Sequence, residues 1–239
     1  MSDARPVADV IQPPAARIQS TLNWLRAGVL GANDGIVSTA AIIFGVAGGS
    51  ASHSTLVLAG IASISAGALS MGAGEYVSVS TQRELESAEL ERQKADLARD
   101  PERELLVLTR LFEQRGVDPV TAATVAKEMS DKDALSVHAR AELGIDPDAL
   151  TNPWTAAFTS MASFIIGGMV PLLAIFWAPR AIEVWIAGGA VVIAMILTGG
   201  ISARLGRIPL VPSIVRNVAG GLLAMAVTYG VGKIVGTQL

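Results

Sequence analysis

The sequence contains no cysteine, which removes disulfide frameworks, thiolate metal sites and cysteine nucleophiles together and leaves the redox compartment unmarked. Charge is scarce as well. Asp, Glu, Lys and Arg make up 16% of the 239 residues and hydrophobic residues 51%, whereas a soluble domain carries roughly 25% charge; the shortfall points toward lipid. The start of the chain, with Asp3, Arg5, Asp9, Pro13, Pro14 and Arg17, lacks the apolar stretch of a signal peptide and reads as a flexible N-terminal tail over residues 1–22. Membrane insertion then has to use an internal helix. No repeat of solenoid period and no low-complexity segment is visible.

What charge there is sits in one place, because residues 81–153 hold 16 of the 21 acids and 10 of the 18 bases. Outside that block, five segments reach the roughly 20 apolar residues a helix needs to cross a bilayer: residues 27–48, 55–76, 155–177, 182–203 and 212–235. The pattern predicts an all-α integral membrane protein. Transmembrane helices 1 and 2 lie in residues 23–80, a charged helical domain in 81–153, and transmembrane helices 3 to 5 in 154–239. Five crossings put the termini on opposite sides. Arg5, Arg17 and Arg26 precede the first span and Arg204, Arg207 and Arg216 surround the fourth connection, while residues 49–54 carry no Lys or Arg. That bias puts the N-terminus and the acidic domain in the cytosol; Arg180 and Lys233 weaken it without reversing it. For a prokaryotic source the membrane would be the plasma membrane. Inside the domain, Asp100 before Pro101, Asp118 before Pro119, and Ser130 three residues ahead of Asp133 are helix starts. Gly116 and Gly144 are stops. No breaker separates Val77–Leu97 from the second span, so one long helix is expected there.

Asp34 is the first residue able to carry chemistry, since a carboxylate inside a span costs several kcal/mol unless paired, hydrated or holding an ion. Read as a turn, Asn33-Asp34-Gly35 would leave too few residues before Gly48 to cross the bilayer. Gly31 and Gly35, one turn apart, offer a small face to another helix. Met71 and Glu75 share a face of the second span. Counting about 1.5 Å per residue, Asp34 and Met71 lie at similar depth in antiparallel helices. A carboxylate beside a thioether suits Fe²⁺ or Mn²⁺ better than Mg²⁺ or Ca²⁺, although Met71 alone would read as packing filler. Glu75 stands where interfacial residues stand and could serve as an entrance.

In the charged domain, Glu84, Glu86, Glu89, Glu91, Asp96, Glu102, Glu104, His138 and Glu142 could supply oxygen and imidazole ligands. His138 and Glu142 share a face at i, i+4. The competing reading is a solvated surface with pairs such as Glu91 with Arg92. A di-iron oxidase needs Glu-x-x-His on its helices, and Leu135 stands three residues before His138. His53, in the short outer loop, reads as solvated and receives no role. Pro171 removes a hydrogen bond inside the third span and predicts a kink.

These residues resemble the vacuolar iron transporter family over roughly residues 22–236. The motifs are Asn33-Asp34-Gly35 in the first span, Ser70-Met71-Gly72-Ala73-Gly74-Glu75-Tyr76 in the second and Gly167-Gly168-Met169-Val170-Pro171-Leu172 in the third. The resemblance implies five transmembrane helices, export of Fe²⁺ or Mn²⁺ from the cytosol by proton antiport, and a homodimer. The ion path would run between the subunits' first and second helices, lined at the Asp34 and Met71 positions. Ser63 stands where the family can carry a further acid. In the insert, positions of the family's Glu and Met pattern read Gln93, Asp96, Glu104, Val107, His138 and Glu142, of which Gln93 is a weak ligand and Val107 none. The expected metal ligands are thus Asp34, Met71, Glu75, Asp96, Glu104, His138 and Glu142. The metal is substrate, no prosthetic group is expected, and the partners are metal ions, the lipid bilayer and a second copy, with no nucleic acid and no enzyme activity. The rivals are a membrane-anchored metal sensor or sequestering protein, and a pore in which Asp34 is a selectivity charge.

Overall fold

The computed structural model describes residues 14–238, with side chains from Gly28 onward. All regular elements among these residues are helical: α1 (Pro14–Gly48), α2 (His53–Arg99), α3 (Pro101–Gln114), α4 (Pro119–His138), a π-helical turn (Ala139–Leu143), α5 (Pro153–Trp177), α6 (Glu183–Gly206) and α7 (Leu210–Gly236). Five helices are long and apolar enough to cross a membrane: α1 over Gly28–Gly48, α2, α5, α6 and α7. The all-α class read from the sequence holds among the described residues, and the five apolar helices fit a multi-pass membrane protein. Helix α1 begins at Pro14, so residues 14–22, read as part of the tail, are helical; residues 1–13 lie outside the described residues. The absence of a breaker after Val77 has the expected result, a helix α2 of 47 residues.

Two compact units emerge, with Ser78–Asn152 in one and Thr21–Val77 together with Pro153–Leu239 in the other. In the second, α1 is the central element. Its Ile36 and Ala40 pack with Val191, Met195 and Met225, and its Ile43 packs with Leu56, Ile175 and Ala187. Apolar packing gives little net drive between helices in lipid, so close approach of backbones has to help. Glycine provides it on both flanks of α1. A β-carbon at Gly35 would lie 2.1 Å from the Phe164 carbonyl oxygen, and one at Gly167 would lie 1.9 Å from the carbonyl oxygen of Ala32. On the other flank, a β-carbon at Gly232 would lie 1.7 Å from the Gly45 carbonyl oxygen.

The outer surface is apolar, with Ile166, Trp185 and Leu223 exposed by 69%, 82% and 66%, which is tolerable in lipid and not in water. Aromatic residues mark both ends of α5: Trp154 lies 4.6 Å from Tyr76 and 6.0 Å from Phe158, and Phe176 packs edge-on against Trp177. From Trp154 to Trp177 the helix rises about 35 Å, the separation of two bilayer interfaces. Helix α5 continues through Pro171, which is fully buried.

The other unit starts and stops largely where its capping residues dictate. Asp100 accepts from the Arg103 amide at 3.1 Å, Asp118 accepts from the Thr121 amide at 3.2 Å, and Gly116 and Gly144 take positive φ of 90° and 69°. The third start differs from the expectation. Helix α4 runs through Ser130 and breaks at Asp133, with φ −159° and ψ 85°. Asp133 itself accepts from the Ser136 amide at 3.0 Å, so the aspartate, not the serine, is the cap. Leu108, Ala126, Val137 and Ala141 form this unit's core.

Candidate functional site

Asn33-Asp34-Gly35 makes no turn; α1 passes through it. Because Gly35 is pressed against α5, the neighbouring Asp34 points elsewhere on the helix, into open space. Its Oδ1 accepts from Ser38 Oγ at 2.7 Å. Two cavities meet there. The first, about 690 Å³, lies among α1, α6 and α7, and its wall includes Asn33, Asp34, Met71, Thr198, Arg216 and Asn217. The second, about 310 Å³, lies among α1, α2 and α5, with Asp34, Ser38, Ser63, Ser70, Met71 and Phe164. Asp34 and Met71 are the two residues common to both walls. Met71 Sδ lies 3.6 Å from the position a β-carbon on Gly31 would take, one turn before Asp34. The carboxylate and the thioether therefore border the same space, with room for water around an ion.

Glu75, half-buried one turn beyond Met71, lines neither of these two cavities. Ser63, where the family pattern can carry an acid, is buried and donates to Thr39 Oγ1 at 3.4 Å. A polar chain not anticipated from the sequence joins three helices. Thr198 Oγ1 donates to Asn33 Oδ1 at 3.3 Å, and Asn217 Nδ2 donates to Thr198 Oγ1 at 3.0 Å and to the Met195 carbonyl at 2.9 Å. Polar residues in apolar spans were the available signal. Nothing local told which of them would converge.

The charged unit holds a different arrangement. Glu104 of α3, His138 at the end of α4 and Glu142 of the π-helical turn offer ligand atoms all within 4.8 Å of one another. His138 is fully buried, and its Nδ1 lies 2.6 Å from Glu142 Oε1, the i, i+4 pair anticipated from spacing. Gln93 of α2 donates to Glu104 Oε2 at 3.1 Å and lies 3.4 Å from His138 Nδ1. His138 Nε2 is buried with no hydrogen-bond partner among the described residues. Two carboxylates and an imidazole form a donor set suited to a first-row divalent ion.

Asp96 does not join them. Its carboxylate pairs with Arg99 at 2.5 Å on the same helix, because i, i+3 neighbours meet on the helix surface. Val107 is 37% exposed. The surrounding surface is indeed one of solvated pairs, although with different partners than expected. Arg92 binds Glu89 at 2.9 Å and Lys94 approaches Glu91 at 3.9 Å, since adjacent residues such as Glu91 and Arg92 diverge by about 100° around a helix.

His53 also departs from its expectation. It is the first residue of α2 rather than a solvated loop residue, and its Nδ1 lies 2.5 Å from Glu183 Oε2 at the start of α6. Glu183 is 8% exposed, and a carboxylate that buried needs a partner.

Comparison with known proteins returns one consistent relationship. Residues 25–233 match the model of the VIT family. The vacuolar iron transporter of Acanthamoeba castellanii is 44% identical over 216 residues, covering 89% of this chain and 78% of that protein. Vacuolar iron transporter homolog 3 of Arabidopsis thaliana is 34% identical, covering 90% and 84%, and VIT-like transporter 1b of Glycine max is 32% identical, covering 90% and 77%. With five helices long and apolar enough to cross a membrane and matches along nearly its whole length, the chain belongs to the VIT family, whose members are transporters and not enzymes.

Proposed function

We propose that this protein moves Fe²⁺ or Mn²⁺ out of the cytosol in exchange for protons, with Asp34 and Met71 as the membrane-embedded ligands. The observation that carries this reading is that these two side chains belong to the walls of two adjoining cavities among the spans. An ion held there faces a carboxylate, a thioether and hydroxyls rather than a closed cage, so it can enter and leave. Exchange follows from the same carboxylate, which must be free of a proton to bind metal and regains one on release. The names of the relatives, vacuolar iron transporters, support iron as a substrate. The arginines around the first span and the fourth connection support a cytosolic N-terminus and charged unit, and with them the direction of transport. The family resemblance supports a homodimer. Glu104, His138 and Glu142 would bind the metal on the cytosolic side, with Glu75 near the membrane entrance and Asp96 contributing charge only.

The test is flux in proteoliposomes carrying a metal gradient and a pH-sensitive dye. Wild-type protein should move Mn²⁺ and Fe²⁺ with proton counterflow, and Asp34→Asn and Met71→Ala should abolish both. Normal flux in the two variants would sink the assignment. The compact triad favours one second reading, a membrane-anchored sequestering protein or sensor, which would bind metal and move none.

A further inference from the structure

Arg216 lies on the wall of the first cavity together with Asp34 and Met71. Among the described residues it has no ion-pair partner, and neither has Asp34, whose carboxylate accepts from Ser38 Oγ. An arginine in a membrane span is rare and needs an anion, water or a functional reason. The packing of α1 on α7 fixes its height. A β-carbon at Gly221 would lie 3.6 Å from Val37 Cγ2, one at Gly45 would lie 3.4 Å from the Thr228 carbonyl oxygen, and one at Gly236 would lie 2.5 Å from the Gly49 Cα. Successive positions of α1 thus meet successive positions of α7, so the helices run parallel. Continuing that register brings Asp34 opposite the turn after Arg216, an axial offset of roughly 3 Å. The Asn33–Thr198–Asn217 chain links the two helices at this level through α6, tying the residue beside Asp34 and the residue beside Arg216 to one hydroxyl.

We propose that Arg216 sets the metal affinity of Asp34, acting as a tethered cation that shares the cavity and competes with the transported dication for the carboxylate. This rests on the reading that Asp34 binds the ion in transit. A carboxylate with no fixed cation beside it attracts a divalent ion through its full charge even where water shares the cavity, whereas transport requires release as well as capture. The guanidinium is permanently charged, weakly hydrated and shaped to meet a carboxylate, and its long stem gives it reach. It repels the dication and takes its place as it leaves. Arg216 is a positioning residue in this account, with no ligating role.

The absence of cysteine makes a direct test possible. Arg216→Cys in the full-length chain, reconstituted in phosphatidylcholine vesicles, should lower the Mn²⁺ concentration for half-maximal uptake by roughly three- to tenfold and slow the maximal rate. Modification with a positively charged aminoethyl methanethiosulfonate should move both values back toward wild type, whereas the neutral methyl reagent should not. Arg216→Lys and Arg216→Gln repeat the comparison without a reagent, so poor folding of the cysteine variant leaves the test intact: lysine should behave like wild type and glutamine like the cysteine variant. Half-saturation within twofold of wild type in every variant would overturn the proposal. So would equal effects of the charged and neutral reagents, or an effect of the variants seen only with anionic lipid, which would make Arg216 a headgroup anchor. Asp34→Asn is run alongside. Loss of flux there with unaltered Arg216 variants defeats the affinity proposal alone, while retained flux defeats the underlying reading of Asp34.

Discussion

In the charged unit, three ligating side chains converge within 4.8 Å around a fully buried imidazole, whereas in the transmembrane unit one carboxylate and one thioether border two cavities of about 690 and 310 Å³. The contrast is one of binding against passage. Converging donors, fixed by hydrogen bonds such as that from Gln93 to Glu104, replace several waters of an ion at once. Sparse donors facing open space leave most of the hydration in place. Each unit also holds its site in its own way: the spans by backbone contact at glycine, the charged unit by caps and a small apolar core.

The largest expected effect sets the two sites against each other. Asp34→Asn should reduce initial Mn²⁺ flux by at least about a hundredfold while metal binding by the detergent-solubilised protein, measured by calorimetry, persists at the charged unit. Loss of all binding would erase the distinction. Next, Gly167→Val places a side chain against the Ala32 carbonyl, and overpacking of this kind costs about 3 kcal/mol. Thermal unfolding in detergent should show it, with Gly74→Ala, which meets open space, as the silent control. Third, Glu104→Gln should weaken metal binding on the order of tenfold yet leave flux at saturating metal within about twofold of wild type; flux falling in step with binding would show that the two sites act as one. The smallest effect is expected from Asp133→Ala, about 1 kcal/mol from the lost cap, seen as lower thermal stability with flux unchanged.

Much of the architecture was legible because the decisive signals are local. Apolar runs of sufficient length became spans, Asp100 and Asp118 became caps, and the missing breaker after Val77 became the long helix α2. Asp34 stood out because a carboxylate in an apolar run is anomalous wherever the run folds. The errors arose where one residue had to be chosen from several with similar chemistry. Ser130 and Asp133 both satisfy a cap motif, and the break falls at the aspartate, whose carboxylate is the stronger acceptor. Asp96 belongs to the family's ligand pattern, and in the structure its carboxylate pairs with Arg99 on the same helix, apart from the Glu104, His138 and Glu142 cluster. His53 reads as solvated in the sequence because its partner Glu183 is 130 residues away.

The sequence by itself determined that the chain is apolar in five stretches and charged in one, that helices start after Asp100 and Asp118, and that a carboxylate lies within an apolar stretch. These follow from solvation and capping, which act over a few residues. Only the tertiary structure decided that Asp34 and Met71 border both cavities, that Glu104 joins His138 and Glu142 while Asp96 does not, and that Arg216 shares a cavity with Asp34. Those pairings depend on which helix faces meet, set in the spans by glycine contacts between helices distant in sequence and in the charged unit by its small apolar core, beyond the reach of any local rule.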